Sequence, residues 1–246
     1  FISRLAWGLE QAAFSLLLMV VGCLPWIFSR TQLDTTELPK QTVLVVSAGL
    51  VWCLFVVQDA LRGAWHLAWD RYSKIIFTSM GVLVLLAIAS RDPYGSWVGI
   101  TKQIPTAVIT MLAGAAWWLA IRRLVNAPLR FLLVLGVWFV SAGLFAWGTI
   151  AWLVGKTIWP WSLPLFRSMT PLGSVSEVAI FLVPMVVFSF AMLLQGAKLF
   201  GETRKNRTRF LRIGAVLLLL PSLTLIGAVE SPALWFSLAL GVGILV

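Results

Sequence analysis

Eight long apolar blocks in this chain carry almost no charge, and nearly every Lys and Arg lies between them. The blocks run over residues 5–28, 42–61, 75–90, 105–121, 131–154, 177–199, 213–229 and 232–246. The hydrocarbon core of a bilayer is about 30 Å thick and takes around 20 helical residues, with a working range of about 17–25. Lipid offers no partner to a backbone N–H or C=O, so a block that spans does so as a helix. The expected fold is all-α: a polytopic transmembrane bundle of about eight spans, read as one transmembrane domain over residues 1–246. Composition agrees, with 60% hydrophobic residues, 11% charged and a mean hydropathy of +0.96.

Basic residues set the expected orientation, because Lys and Arg in short loops stay on the cytoplasmic side. With eight spans, one side holds Arg4, Arg62, Arg71, Lys74, Arg122, Arg123, Arg130, Lys198, Arg204, Lys205, Arg207, Arg209 and Arg212. The other side holds Arg30, Lys40, Arg91, Lys102, Lys156 and Arg167. The split is 13 to 6 of the 19 basic residues and favours a cytoplasmic N-terminus. It leans on the run from Gly201 to Arg212. The net charge of +10 follows from these anchoring cations, which meet anionic lipid headgroups. A nucleic-acid partner is not expected, since a single-strand binder interleaves stacking aromatics with its cations and this run holds only Phe210.

Other residue types narrow the function further. Trp26, Trp65, Trp69, Trp97, Trp159 and Trp161 fall near block boundaries, where an indole sits well at headgroup level. Trp117, Trp118, Trp138, Trp147 and Trp152 lie inside blocks and are expected to pack on helices or lipid. Cys23 and Cys53 have no metal or disulfide spacing and read as small buried hydrophobes. A single histidine, His66, argues against haem or pigment, and no cofactor or metal is expected. All nine acids stand at or near block ends, where neither a proton relay nor a cation-coupled transporter would place them. The chain begins at Phe1, and its last block covers about 22 Å at 1.5 Å per residue, so the sequence reads as truncated at both ends.

The loops on the less basic side hold the patterned residues. Glu37-Leu38-Pro39-Lys40 feeds block two, with Pro39 suited to a helix start and Lys40 able to snorkel to the interface. Asp92-Pro93 favours a turn, and Gly95 and Gly99 permit tight backbone. Before block six, Ser174 or Ser176 is placed to cap the helix, with Glu177 near its positive end. Taken in order, these segments resemble the O-antigen ligase and O-antigen polymerase superfamily of bacterial membrane glycosyltransferases. Members often carry a Glu-Leu-Pro-Lys-type entry to the second helix. After the third helix they often carry Ser-x-Asn/Asp-Pro-x-x-Ser-x-x-Gly, matched by Ser90, Asp92, Pro93, Ser96 and Gly99. A further stretch, roughly Thr-x-Gly-Asn-x-Asn before an apolar helix, is similar to Thr170–Phe181. There Ser174 and Ser176 replace the usual asparagines and Glu177 an apolar residue. The resemblance covers the N-terminal half or so of the family.

The resemblance implies a multi-pass protein of the bacterial inner membrane. It would transfer a glycan from a polyprenyl-pyrophosphate donor to an acceptor on the outer face, without a metal. Outer cations would then hold the pyrophosphate by charge-assisted hydrogen bonds. Arg91 and Arg167 lead, because the guanidinium fork suits a diphosphate, with Arg30 and Lys102 behind them. The family's catalytic Arg and His residues lie in a loop that nothing here matches, so catalytic residues are left unassigned. A second expectation is a non-catalytic membrane subunit that packs within a larger assembly, using small residues such as Gly81, Gly114, Ala115, Gly136 and Gly143 at helix interfaces.

Overall fold

The computed structural model describes residues 2–27, 37–64, 70–99, 107–155, 169–170, 173–200, 205–229 and 231–243. Helices dominate these residues: α1 Ile2–Cys23, α2 Glu37–Arg62, α3 Arg71–Ile88, α4 Pro93–Val98, α5 Val108–Leu124, α6 Pro128–Leu153, α7 Val175–Phe200, α8 Lys205–Ala228 and α9 Pro232–Gly243. A two-residue antiparallel ladder, β1 Met169–Thr170 with β2 Gly173–Ser174, precedes α7. Each apolar block lies on a helix. Among the described residues four stretches are long and apolar enough to cross a membrane: Ile2–Trp26, Leu38–Arg62, Arg71–Ile88 and Pro128–Leu153. The chain is therefore a helical membrane protein by length and composition. It divides into two compact units, Phe1–Leu135 and Gly136–Val246.

In the first unit, α1 and α2 run antiparallel, since Gln58 near the end of α2 reaches Ala6 near the start of α1. Helix α5 lies parallel to α2, joined at one end by Gln41 with Thr110 and at the other by Asp59 with Arg123. Two indoles stitch these helices reciprocally. Trp52 Nε1–H donates to the Ala116 carbonyl at 3.1 Å, and Trp117 Nε1–H donates to the Leu44 carbonyl at 3.2 Å. Hydrogen bonds between membrane helices contribute about 0.6 kcal/mol each on average. Around them pack Phe14, Leu17, Val51, Phe55, Ala113 and Leu124. Helix α2 ends at Gly63, whose positive φ of 66° lets Ala64 N–H return to the Asp59 carbonyl at 3.3 Å. Helix α3 begins on Asp70, which accepts from Ser73 N–H at 3.0 Å as an N-cap.

In the second unit, α7 and α8 are joined by four residues and share a core of Ala179, Val186, Leu219 and Ile226. Each contains a proline, Pro184 and Pro221, yet runs through it. A helical proline lacks its N–H and so frees the carbonyl four residues earlier. For Pro221 that carbonyl is Leu217, and Trp147 Nε1–H donates to it at 3.3 Å. An in-block indole thus supplies the hydrogen bond that the proline deletes. Trp138 meets Phe188 edge to face at 5.5 Å.

One expectation about small residues changes. Cys23 and Cys53 are exposed on their helices rather than buried. A helix surface facing hydrocarbon accepts a small apolar thiol as readily as a core does, so apolarity did not imply burial. A Cβ added at Gly143 would lie 3.7 Å from Leu218 Cδ1, while one at Gly81, Gly114 or Gly136 would meet nothing within 4 Å in this chain. Among the described glycines the tightest approach is at Gly241, where a Cβ would sit 2.6 Å from Val187 Cγ2. Val187 is β-branched and cannot rotate clear. Gly241→Ala should therefore loosen α9 from α7 and destabilise the second unit by about 1–3 kcal/mol, read as a lower unfolding midpoint in mixed micelles. An unchanged midpoint would show that the two helices separate at no cost.

Candidate functional site

The two ends of the first unit differ in chemistry. At one end stand Arg4, Arg62, Arg71, Lys74, Arg122, Arg123 and Arg130 with the acids Glu10, Asp59 and Asp70. Arg123 donates through Nη1 and Nη2 to both Asp59 oxygens, at 2.9 and 2.6 Å, and through Nη2 to Gln58 Oε1 at 2.8 Å. Its guanidinium also lies 4.2 Å over the Phe55 ring. Asp59 is only 5% exposed and the Arg123 side chain 17%. Glu10, about two turns into α1, accepts from Arg130 at 2.7 Å and from Arg62 at 3.2 Å. Gln58 closes the cluster by donating to Glu10 and to the Ala6 carbonyl. Arg130 adds a bond to the Leu124 carbonyl at 3.0 Å and stands 5.2 Å over Phe14.

This cluster is an ionic knot that ties α1, α2, α5 and the start of α6. Its carboxylates are committed to guanidinium groups, so none is placed to act as a base. Beside it, Arg122 Nη1 donates to Asp70 Oδ1 at 2.5 Å and to Ser73 Oγ at 3.3 Å. The Arg122 bond, then the bonds from Ser73, hold the Asp70 carboxyl well below the usual carboxylate range. Sequence reasoning placed these acids at block ends and gave them no role. The missed signal is the pairing of Glu10, Asp59 and Asp70 with an arginine on another helix.

At the opposite end, the loop expected after α3 contains a short helix. Asp92 accepts from Gly95 N–H at 3.0 Å and caps α4. Ser96 Oγ donates to Ser90 Oγ at 2.7 Å, and Asp92 N–H donates to Ser90 Oγ at 3.2 Å. Gly99 closes α4 with φ 87°, which favours glycine. Gln41, unremarked in the sequence, is 7% exposed and binds this turn to the bundle. Its Nε2 donates to the Val98 carbonyl at 3.0 Å and to Thr110 Oγ1 at 2.8 Å. Lys40, expected to snorkel outward, keeps its Nζ buried.

Arg91 is exposed within this turn, flanked by Ser90 and Asp92, whose polar atoms the turn uses. Tyr94 is exposed beside it and Trp97 half-buried. Arg30, Lys102 and Arg167, the other cations expected to bind pyrophosphate, lie outside the described residues. Backbone geometry puts Ser174 directly before α7, the N-cap position, with Ser176 and Glu177 inside the first turn. Among the described residues no cluster of three His, Cys, Asp or Glu residues could hold a metal ion.

The buried pair and the exposed pair make different predictions. Removing one member of a buried ion pair costs about 3–5 kcal/mol, because the other is left charged and unpaired. Asp59→Asn and Arg123→Gln should each approach that loss in mixed-micelle unfolding, and the double variant should recover part of it. Single variants within experimental error of wild type would show that the knot contributes nothing. Asp70 has its pKa lowered by folding, so its contribution is complete above the ordinary carboxylate range and is lost as pH falls through the depressed value. The thermal midpoint should therefore carry an acid-side drop below about pH 4 that Asp70→Asn reduces, and no Asp70-dependent change between neutral and mildly acidic pH.

No protein-family model, curated protein or solved structure matches the chain, so any assignment of function has to come from its own residues.

Proposed function

We propose that this chain belongs to a bacterial inner-membrane glycan transferase of the O-antigen ligase type. It would take a glycan from a polyprenyl-pyrophosphate donor at the outer face. Its N-terminus would lie in the cytoplasm, with the remaining apolar helices completing about eight spans. The cation-rich end of the first unit would then face the cytoplasm and the α4 end the outer face, as expected from the distribution of Lys and Arg.

The observation that supports this reading is the coherence of the patterned turn. Ser90, Asp92, Ser96 and Gly99 are four of the five residues that match the Ser-x-Asn/Asp-Pro-x-x-Ser-x-x-Gly pattern, one of the three segments that carry the resemblance. Each has a defined job in one capped turn. That spacing builds the turn, and the turn holds Arg91 at an exposed position, which on this reading would stand at the outer membrane face. A guanidinium there offers a planar pair of donors to a phosphate, while the Ser90, Asp92 and Ser96 side chains around it are occupied with backbone or hydroxyl partners.

The test is glycan transfer by the full-length protein in proteoliposomes supplied with a polyprenyl-pyrophosphate-linked glycan. Arg91→Lys and Arg167→Lys keep the charge and lose the fork. A charge-assisted hydrogen bond contributes about 1.5–3 kcal/mol, so each variant should lose about ten- to a hundredfold in transfer while inserting normally. Wild-type transfer by the doubly substituted protein would reduce these arginines to membrane anchors. Failure of the unsubstituted protein to transfer glycan would remove the assignment itself.

A further inference from the structure

Between α2, α3 and α5 the first unit leaves a cleft of about 310 Å³, lined by Trp52, Phe77, Met80, Leu112, Ala115 and Leu119 among others. Its walls are apolar side chains. The one indole N–H on them, that of Trp52, is already spent on the Ala116 carbonyl. The cleft thus offers hydrocarbon contact and no polar anchor of its own. Its size is at the lower end for ligand sites, which run about 300–1,000 Å³, and suits one chain rather than a whole lipid.

One end of the cleft is chemically different. Leu119 on α5 stands one turn before Arg122, and Phe77 on α3 stands one turn after Ser73. Arg122 and Ser73 are hydrogen-bonded to each other. The Arg122–Ser73–Asp70 bridge therefore stands one turn beyond the cleft lining, toward its cation-rich end. Lys74, next to Ser73 and exposed, adds a second positive charge there. Arg122 bonds through Nη1 alone among the described residues, which leaves the other edge of its guanidinium for an anion.

We propose that this cleft holds one acyl chain of an anionic glycerophospholipid, with the lipid phosphate seated on Arg122 and Lys74. The chain would be drawn from the leaflet at the cation-rich end of the unit. Charge complementarity selects the headgroup and the dry cleft selects the tail. The proposal rests on the membrane reading alone and is independent of glycan transfer.

The test uses the full chain in phosphatidylcholine vesicles doped with phosphatidylglycerol that carries a photoactivatable diazirine on one acyl chain. After irradiation, adducts are mapped by peptide mass spectrometry. They should concentrate on the peptides that hold Phe77–Met80 and Leu112–Leu119. The same reagent with a phosphatidylcholine head should label these peptides much less. Lys74→Gln should lower labelling about fivefold, the loss of one basic contact with anionic lipid. Asp70→Asn with Arg122→Gln, which removes the fork without orphaning an acid and keeps a capping residue, should do likewise. Ala115→Phe should abolish labelling by filling the cleft. The wild-type map stands even if that variant fails to fold. Adducts spread equally over exposed residues such as Leu85, equal labelling by both headgroups, or full labelling in well-folded Ala115→Phe would each overturn the proposal, the last because the acyl chain would then have been labelling the helices from outside the cleft.

Discussion

Arg123 sits one residue from the end of α5 with its guanidinium divided between Asp59 and Gln58 and pressed on the Phe55 ring. Such a cation is tolerable only because each charge it brings into apolar surroundings is met at once by a partner. The same constraint governs the rest of the first unit. Hydrocarbon supplies no hydrogen bonds, so every donor that leaves the interface must find its acceptor within the protein. Trp52 and Trp117 find carbonyls on each other's helices, Gln41 finds a carbonyl and a hydroxyl, and Gln58 links Glu10 to Arg123. These polar contacts fix which helix lies beside which, something that apolar packing against equally apolar lipid specifies weakly.

The proline-bearing helix α8 of the second unit shows the same rule applied to backbone. Pro221 deletes an N–H in α8 and leaves Leu217 with a carbonyl to satisfy, and the Trp147 indole supplies the donor. In-block tryptophans are then more than large apolar fillers. An indole carries one donor at the rim of a wide hydrophobic ring, so it can reach across a helix interface and answer a single exposed carbonyl without bringing a second polar atom into the membrane.

Helices were legible in the sequence because block length and apolarity follow directly from membrane thickness. The block at 42–61 is α2 with its ends extended to 37 and 62, and the block at 131–154 is α6, which starts three residues earlier and ends one residue earlier. Burial within the membrane was not legible, as Cys23 and Cys53 show, because both sides of a spanning helix are apolar whether they face lipid or protein. Nor was pairing. Glu10, Asp59 and Asp70 look alike as acids near block ends, yet each meets a different arginine, 120, 64 and 52 residues away in the closest contacts. Long-range partners of that kind depend on helix register, which a single sequence does not display. Of the candidate anion site, only Arg91 falls within the described residues, and its turn was foreseen as a turn at Asp92-Pro93 but not as a capped helix.

The two ends of the first unit handle charge in opposite ways, and that contrast carries the functional argument. At the cation-rich end the arginines of the knot are consumed by acids, and the stability they provide is bound up with losing their chemical freedom. At the α4 end the polar atoms of Ser90, Asp92 and Ser96 are consumed by the turn, which spares the one cation standing among them. A residue pattern that is structural at most of its positions can still serve chemistry through the position it leaves over. Ser90 to Gly99 builds a hydrogen-bonded turn that fixes the backbone position of Arg91, and on the proposed reading a guanidinium so placed would present two donors to a phosphate. On this view the patterned residues position Arg91 and do not themselves react, so substitutions in them would disturb function by displacing the arginine rather than by removing a reacting group.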